Sequence, residues 1–475
     1  MHIHMFEDAK NKYIFDVNKN AILELSDESY EWIKQYGVKR GGPHLDMANT
    51  EIRSLLKQGY LSDKRPHKCV HPDTPMVENL LNNKLARVCL QVTQQCNFRC
   101  EYCVYSGAYE NRLHTQRTMS WDIAKKAIDF LLEHSRDSKV LDVSFYGGEP
   151  LLEYELIEKC IDYVLEKTRG KTVTFNMTTN ASLLTEEMIK KFVHCNMRLS
   201  VSLDGPKEIQ DKNRKFVNGK GSFETVYSNL SKIIKKYPEL KGNLQFSMVL
   251  DPENEVNCIN KFILDEQELF ENSSVMGDII SEEYRKETLV YSEEFLQDWK
   301  YGQFLYMLFL LKRLKSPKYN SKLFMGPFTP LIKFAELTRR KFPELGDEAH
   351  HSGPCIPGQI RLFVSADGVF YPCERVNEES QIMKIGDVDN GFDFDKVKYL
   401  LNVGKVTEKE CSDCFAIRNC TICAAMADGG DHLDKEKKLS ACNVTRGNFE
   451  EMLKDLCAMK KCGYVVQDKS QNWGF

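Results

Sequence analysis

From about residue 86 onward, short apolar runs alternate with longer stretches of helical period. RVCLQVT, VLDVSFYG, TVTFNMTT, MRLSVSLDG, NLQFSMVL and SSVMGDII are rich in β-branched and aromatic residues and are bounded by turn formers, so they read as strands. Between them, SWDIAKKAIDFLLEH (which Ser120 can cap), LIEKCIDYVLEKT, TEEMIKKFVHC, FETVYSNLSKIIKKY and a stretch near Val256–Gln267 carry apolar residues at helical spacing. Roughly six such βα units predict an α/β fold, with a parallel sheet wrapped by helices and curved into a partial (β/α)6 barrel over residues 86–285. Sites on such sheets lie at the carboxyl ends of the strands.

Ahead of this alternation, residues 1–65 form a different pattern. MHIHMFE, NKYIFDV and NAILEL are strand-like, with Asn18-Lys19-Asn20 turning between the last two. Ser26 offers a cap for DESYEWIKQYG, and TEIRSLLKQGYL sets Ile52, Leu55 and Leu56 on one face before Gly59. This is the outline of a small winged-helix-like unit, expected to have a core separate from the barrel. A linker with Pro66, Pro72 and Pro75 spans 66–85, a helical bridge is expected over 286–349, and residues 350–475 break into turns and cysteines.

Composition narrows the function classes. A net charge of -4 over 475 residues gives no electrostatic footprint for nucleic acid or an anionic membrane. The start, MHIHMFEDAK, lacks a basic region followed by an apolar one, and the longest apolar run, FLYMLFLL, is too short to span a bilayer. A cytoplasmic location is the expectation. Seventeen cysteines are many for that compartment, where disulfides are rare, so the clustered ones point to metal or cluster ligation.

The densest group is QQCNFRCEYC, in the loop after the first barrel strand. Cys96, Cys100 and Cys103 stand in C-x3-C-x2-C spacing. A tetrahedral zinc site wants four ligands, whereas three thiolates can hold three irons of a four-iron cluster and leave the fourth open. S-adenosylmethionine can chelate such an iron through its amino and carboxylate groups, and an electron from the cluster then yields a 5′-deoxyadenosyl radical. Other strand ends carry candidate cofactor contacts. Tyr102 is an aromatic for an adenine pocket. Gly147 and Gly148 allow close backbone approach to a ligand, and Glu149 can orient an ammonium. Asn180 follows the third strand, while Ser202 and Asp204 end the fourth, with Ser202 suited to a ribose hydroxyl. Arg214 can fork onto the methionine carboxylate.

QQCNFRCEYC, YGGEP, TTNASLL and SVSLDGPKEIQDKNR together resemble the radical S-adenosylmethionine (radical SAM) enzymes over about residues 86–280. The resemblance implies a partial barrel and reductive cleavage of the cofactor. Further on, Cys355, Gly368 and Cys373 stand as C-x12-G-x4-C, and Cys411, Cys414, Cys420 and Cys423 as C-x2-C-x5-C-x2-C, followed by Cys442. This resembles the SPASM extension of radical enzymes, although the last spacing is one residue shorter than the usual C-x3-C. Zinc is the competing reading of those pairs. The resemblance implies two auxiliary four-iron clusters, making three in all. Cys411, Cys414, Cys420 and Cys442 would ligate the distal cluster, and Cys355, Cys373 and Cys423 the proximal one. The other cysteines, Cys69 included, read as ordinary thiols.

Residues 1–65 resemble the recognition element of ribosomal-peptide maturases, which binds a leader peptide at a sheet edge. The expected activity is thioether formation between a cysteine sulfur and a carbon of a ribosomally made precursor peptide, as in sactipeptide and ranthipeptide maturases, with a flavodoxin- or ferredoxin-type reductant as electron donor. The rivals are sulfatase maturation to formylglycine, carbon–carbon crosslinking, and a non-catalytic iron–sulfur electron carrier.

Overall fold

The computed structural model describes residues 1–8, 10–37, 48–110, 112–168, 170–316 and 321–466. Strands β1 (Ile3–Glu7), β2 (Lys12–Asp16) and β3 (Ala21–Leu25) form an antiparallel sheet in that order. Asn20 holds a positive φ of 50° at the turn into β3, a conformation that Asn tolerates better than most residues. Ser26 caps helix Asp27–Trp32 by accepting from Ser29 N, and Asn49 caps helix Thr50–Lys57 by accepting from Ile52 N. Residues 38–47 of the expected unit lie outside the described residues.

This sheet has two buried faces. Ile14 and Leu25 pack with Tyr30, Trp32, Ile33 and Ile52 of its own helices. Phe6, Tyr13, Phe15 and Val17 instead join the main core of the molecule. The Phe15 ring lies 5.3 Å from Phe449 and 6.1 Å from Phe334, and Arg418 Nε donates to Val17 O at 2.9 Å. Residues 1–65 thus have a cluster of their own and also contribute one sheet face to the main core. Alternating apolar residues on β2 serve two cores at once, and removing the unit would strip cover from aromatic residues of the carboxyl-terminal half.

After the short strand β4 (Lys68–Cys69), the six expected barrel strands appear as β5 (Arg87–Thr93), β6 (Val140–Gly147), β7 (Thr172–Thr179), β8 (Arg198–Ser202), β9 (Leu244–Leu250) and β10 (Ser274–Ile279). They are parallel and pair in sequence order. Along β9, Leu244, Phe246, Met248 and Leu250 are buried, while Gln245, Ser247 and Val249 between them are half-buried. One face thus packs under helices and the other, largely polar, faces a lumen.

Strand β4 pairs with β11 (Glu348–Ala349), tying the linker to the carboxyl-terminal region. That region also continues the barrel sheet. β12 (Leu362–Val364) lies parallel to β5, with Leu362 opposite Val88 and Val364 opposite Leu90. β13 (Val369–Tyr371), β14 (Gly386–Asp387) and β15 (Gly391–Phe392) then follow as antiparallel neighbours. Helices Glu293–Leu310 and Lys322–Leu337 fill the expected bridge, and helix Lys435–Lys461 packs across β1. Among the described residues no helix is long and apolar enough to cross a membrane.

A buried ion pair locks the β5 loop to the segment after β13. Arg112 Nε lies 2.5 Å from Glu378 Oε1, and both side chains are almost wholly enclosed. Arg112 Nη2 donates to the carbonyls of Glu374 at 2.6 Å and Val376 at 3.2 Å, while Gln91 Nε2 reaches Glu378 at 2.9 Å. Arg112→Met would leave the Glu378 carboxylate buried without its partner. We expect a loss of about 3–5 kcal/mol in denaturant-induced unfolding, with partial recovery when Glu378→Gln is added.

Candidate active site

The loop leaving β5 carries Cys96, Cys100 and Cys103, and the structure brings the three sulfurs into mutual electrostatic contact. Two backbone amides point at them: Phe98 N donates to Cys96 Sγ at 3.3 Å and Tyr105 N to Cys103 Sγ at 3.5 Å. Amides aimed at sulfur suit thiolates better than thiols. Burial meanwhile pushes the bare thiols of Cys96 and Cys100 up to about 12. The loop therefore holds three thiols that only a strongly binding cation would deprotonate.

Gly147 and Gly148 explain how the loop is seated. A Cβ on Gly147, whose φ is 146°, would meet Thr93 O at 2.0 Å, and one on Gly148 would meet Gln95 O at 2.0 Å. These glycines press directly on the chain's own cysteine loop. Glu149 is buried, and burial raises its carboxyl to about 7. Its oxygens accept from Thr179 Oγ1 at 2.7 Å, Leu151 N at 3.1 Å and Asn180 N at 2.7 Å. Asn180 Nδ2 in turn donates to Asn97 Oδ1 at 2.8 Å, one residue from Cys96.

On the other side, Arg214 gives Nε to Asp204 Oδ2 at 2.9 Å and Nη2 to Asp204 Oδ1 at 3.1 Å. Tyr102 also donates its hydroxyl to Asp204, and the Arg214 guanidinium lies 5.3 Å from the Tyr102 ring centre. These three residues form a closed, buried unit. The Arg214 fork thus rests on Asp204, where a buried carboxylate needs a cation, and the Tyr102 ring is enclosed beside it. Ser202 is half-buried at the end of β8, opposite Ser247.

The carboxyl-terminal cysteines fall into two sets. Cys355, Cys373 and Cys423 interact with one another, as do Cys411, Cys414, Cys420 and Cys442. Backbone amides two residues on donate to the sulfurs of Cys373, Cys414, Cys420 and Cys423, the arrangement found in the first loop. Cys69, expected to be an ordinary thiol, is buried in contact with the Cys411 sulfur. Cys457 lies in the core beside Tyr13, and Cys462 is exposed. Among the described residues no three His, Cys, Asp or Glu side chains are drawn around one ion-sized point.

The barrel lumen is a cavity of roughly 630 Å³. Its walls include Tyr146, Asn176, Arg198 and Ser247 from the strands, and also Arg361, Glu374 and Arg375 from the carboxyl-terminal region. The segment right after Cys373 therefore faces the lumen. Sequence reasoning missed this, as it missed Arg112, Glu378 and the lumen arginines. The polar alternation along β7, β8 and β9 was the available signal for the lumen, while nothing in NRLHT marks Arg112.

Comparison with known proteins agrees with this geometry. The Radical SAM superfamily profile matches residues 90–259. A cysteine-type anaerobic sulfatase-maturating enzyme of Clostridium novyi is 29% identical over 173 residues, covering 36% of this chain and 45% of the relative. A serine-type anaerobic sulfatase-maturating enzyme of Bacteroides thetaiotaomicron is 33% identical over 144 residues, covering 30% of this chain and 34% of the relative. The matched stretch is thus less than half the length of either relative. The solved structure of anSMEcpe with bound AdoMet and Cp18Cys peptide superposes with a TM-score of 0.57 at 20% identity, covering 79% of this chain and 99% of that one.

A radical SAM domain implies S-adenosylmethionine and one four-iron cluster, and the Cys96–Cys103 loop has the donor set to hold that cluster. Gly148→Ala is expected to displace the loop through Gln95 and to remove about four irons per chain, leaving circular dichroism unchanged; iron analysis after anaerobic reconstitution checks this. Residues 90–259 match the Radical SAM superfamily and are carried on the α/β fold seen in the solved anSMEcpe structure.

Proposed function

We infer that the chain is a radical SAM peptide maturase that forms thioether crosslinks in a cysteine-containing, ribosomally made precursor. The observation that carries this reading is the proximal thiol set. It offers three cysteines, residues 356–372 supply no fourth, and the segment following Cys373 lines the barrel lumen. S-adenosylmethionine, when bound at the first cluster, supplies a 5′-deoxyadenosyl radical at the strand ends. An open position on a proximal four-iron cluster would accept a substrate thiolate at the wall of the same lumen, which favours sulfur–carbon coupling. Arg198 and Arg375 on that wall give the lumen cationic groups with which to orient a peptide.

The amino-terminal sheet supports a peptide substrate. Its β1 side is covered, with the His4 ring stacked 3.7 Å from Phe415 and His4 Nε2 3.0 Å from Glu450 Oε2. β3 stands at the opposite edge, where a leader strand would add. Sulfatase maturation is the second reading, favoured by the sequence relatives named above.

Mass spectrometry separates the two. Incubation with reductant, S-adenosylmethionine and the precursor should give a product lacking two hydrogens whose cysteine resists alkylation. Exchange of the cysteine sulfur for an aldehyde oxygen would establish sulfatase-type chemistry and overturn the thioether reading. Reconstituted protein should hold about twelve irons, four for each of three clusters. Replacing Cys96, Cys100 and Cys103 together with Ala should abolish 5′-deoxyadenosine formation and leave about eight.

A further inference from the structure

Lys438 is among the most deeply enclosed charged side chains of the molecule, 1% exposed. It lies in the first turns of helix Lys435–Lys461, where the helix dipole already disfavours a cation. Among the described residues no carboxylate pairs with it. Its Nζ donates instead to Thr407 Oγ1 at 2.5 Å and to Cys411 Sγ at 3.5 Å, and Thr407 Oγ1 is itself 3.3 Å from Cys411 Sγ. A buried ammonium with only a hydroxyl and a sulfur for company is stable only if the sulfur side is anionic.

The surroundings of Cys411 sharpen this. Cys69 touches the same sulfur from the linker, its own amide fixed on Glu408 Oε2 at 2.7 Å. The packing is so close that a Cβ on Gly404 would fall 2.2 Å from Cys69 Sγ. His351, 2% exposed, has no hydrogen-bond partner on either ring nitrogen and sits near Lys438. The proximal set differs. Glu374 adjoins Cys373, Glu283 faces Cys423, and Arg361 and Arg375 near Cys355 balance those carboxylates. Around the distal set, Lys438 and Arg446 face Glu410 at Cys442, Glu408 is occupied by the Cys69 amide, and Lys438 reaches Cys411 directly.

Resting on the reading that both sets hold four-iron clusters, we propose that Lys438 is a positioning residue that holds positive charge on the Cys411 sulfur and makes the distal cluster the more easily reduced of the two. Hydrogen bonds and charge at cluster sulfurs raise reduction potential by stabilising the added electron. Cys69 and Thr407 act through Lys438 and Cys411, by fixing where the ammonium and the sulfur lie. An electron arriving at the proximal cluster therefore passes downhill to the distal one.

EPR-monitored potentiometry of the full reconstituted chain tests this. The distal signal is identified by its loss in Cys442→Ser. Lys438→Met should move the distal midpoint to lower potential, leaving the other two clusters unmoved and the iron content near twelve, while Lys438→Arg should keep the native midpoint. Thr407→Val, which keeps the lysine but removes its hydroxyl partner, should give a smaller shift in the same direction. An unmoved distal midpoint in both Lys438→Met and Thr407→Val at about twelve irons, or a distal cluster that is harder to reduce than the proximal one in the native chain, overturns the proposal alone. A native count near four irons overturns the cluster reading and this one with it.

Discussion

The pairing of β12 with β5 is the constraint from which the candidate site follows. β5 ends in the loop that carries Cys96, Cys100 and Cys103, and β12 begins the hairpin that ends at Cys373. β12 runs parallel to β5, but β13 turns back antiparallel and sets Tyr371 opposite Phe363, so Cys373 emerges at the amino end of β5 and the Cys96–Cys103 loop at its carboxyl end. The barrel lumen is lined from both halves of the chain, by the strands and by Arg361, Glu374 and Arg375. A carboxyl-terminal domain merely tethered to the barrel would not place Glu374 and Arg375 on the barrel's own wall.

Buried charges fix the details of this arrangement. Arg112–Glu378 clamps the β5 loop to the segment after Cys373, and Arg214–Asp204 braces the same loop from the β8 side. Each is a complete pair, so each rewards one geometry and penalises slippage through desolvation. Lys438 breaks the pattern by pairing with a thiol. The contrast is informative because the chain pairs its other deeply buried cations with carboxylates.

The six βα units were legible in the sequence because each strand and helix is long enough to show its own period, and the structure reproduces all six strands. The cysteine spacings were equally legible, since ligand geometry acts over a few residues. The rest lay beyond local pattern. β12 and β13 have three residues each, too short for any period to declare itself. Arg112 reaches the Glu374 carbonyl 262 positions away and pairs with Glu378 beyond it, where no local rule operates. That the glycines of YGGEP seat the cysteine loop is something only the fold reveals. The β2 strand shows the same limit: KYIFD reads as a buried strand, but not as one shared between two cores.

The central claim is that a substrate sulfur meets the proximal thiol set inside the barrel. Selenium-edge X-ray absorption of the reconstituted protein, bound to a precursor with selenocysteine in place of the crosslinked cysteine, tests it most directly. The account expects iron in the first shell of selenium, lost when Cys373 is replaced with Ala. A selenium with only carbon neighbours, in a complex whose proximal cluster keeps all its irons, would contradict it.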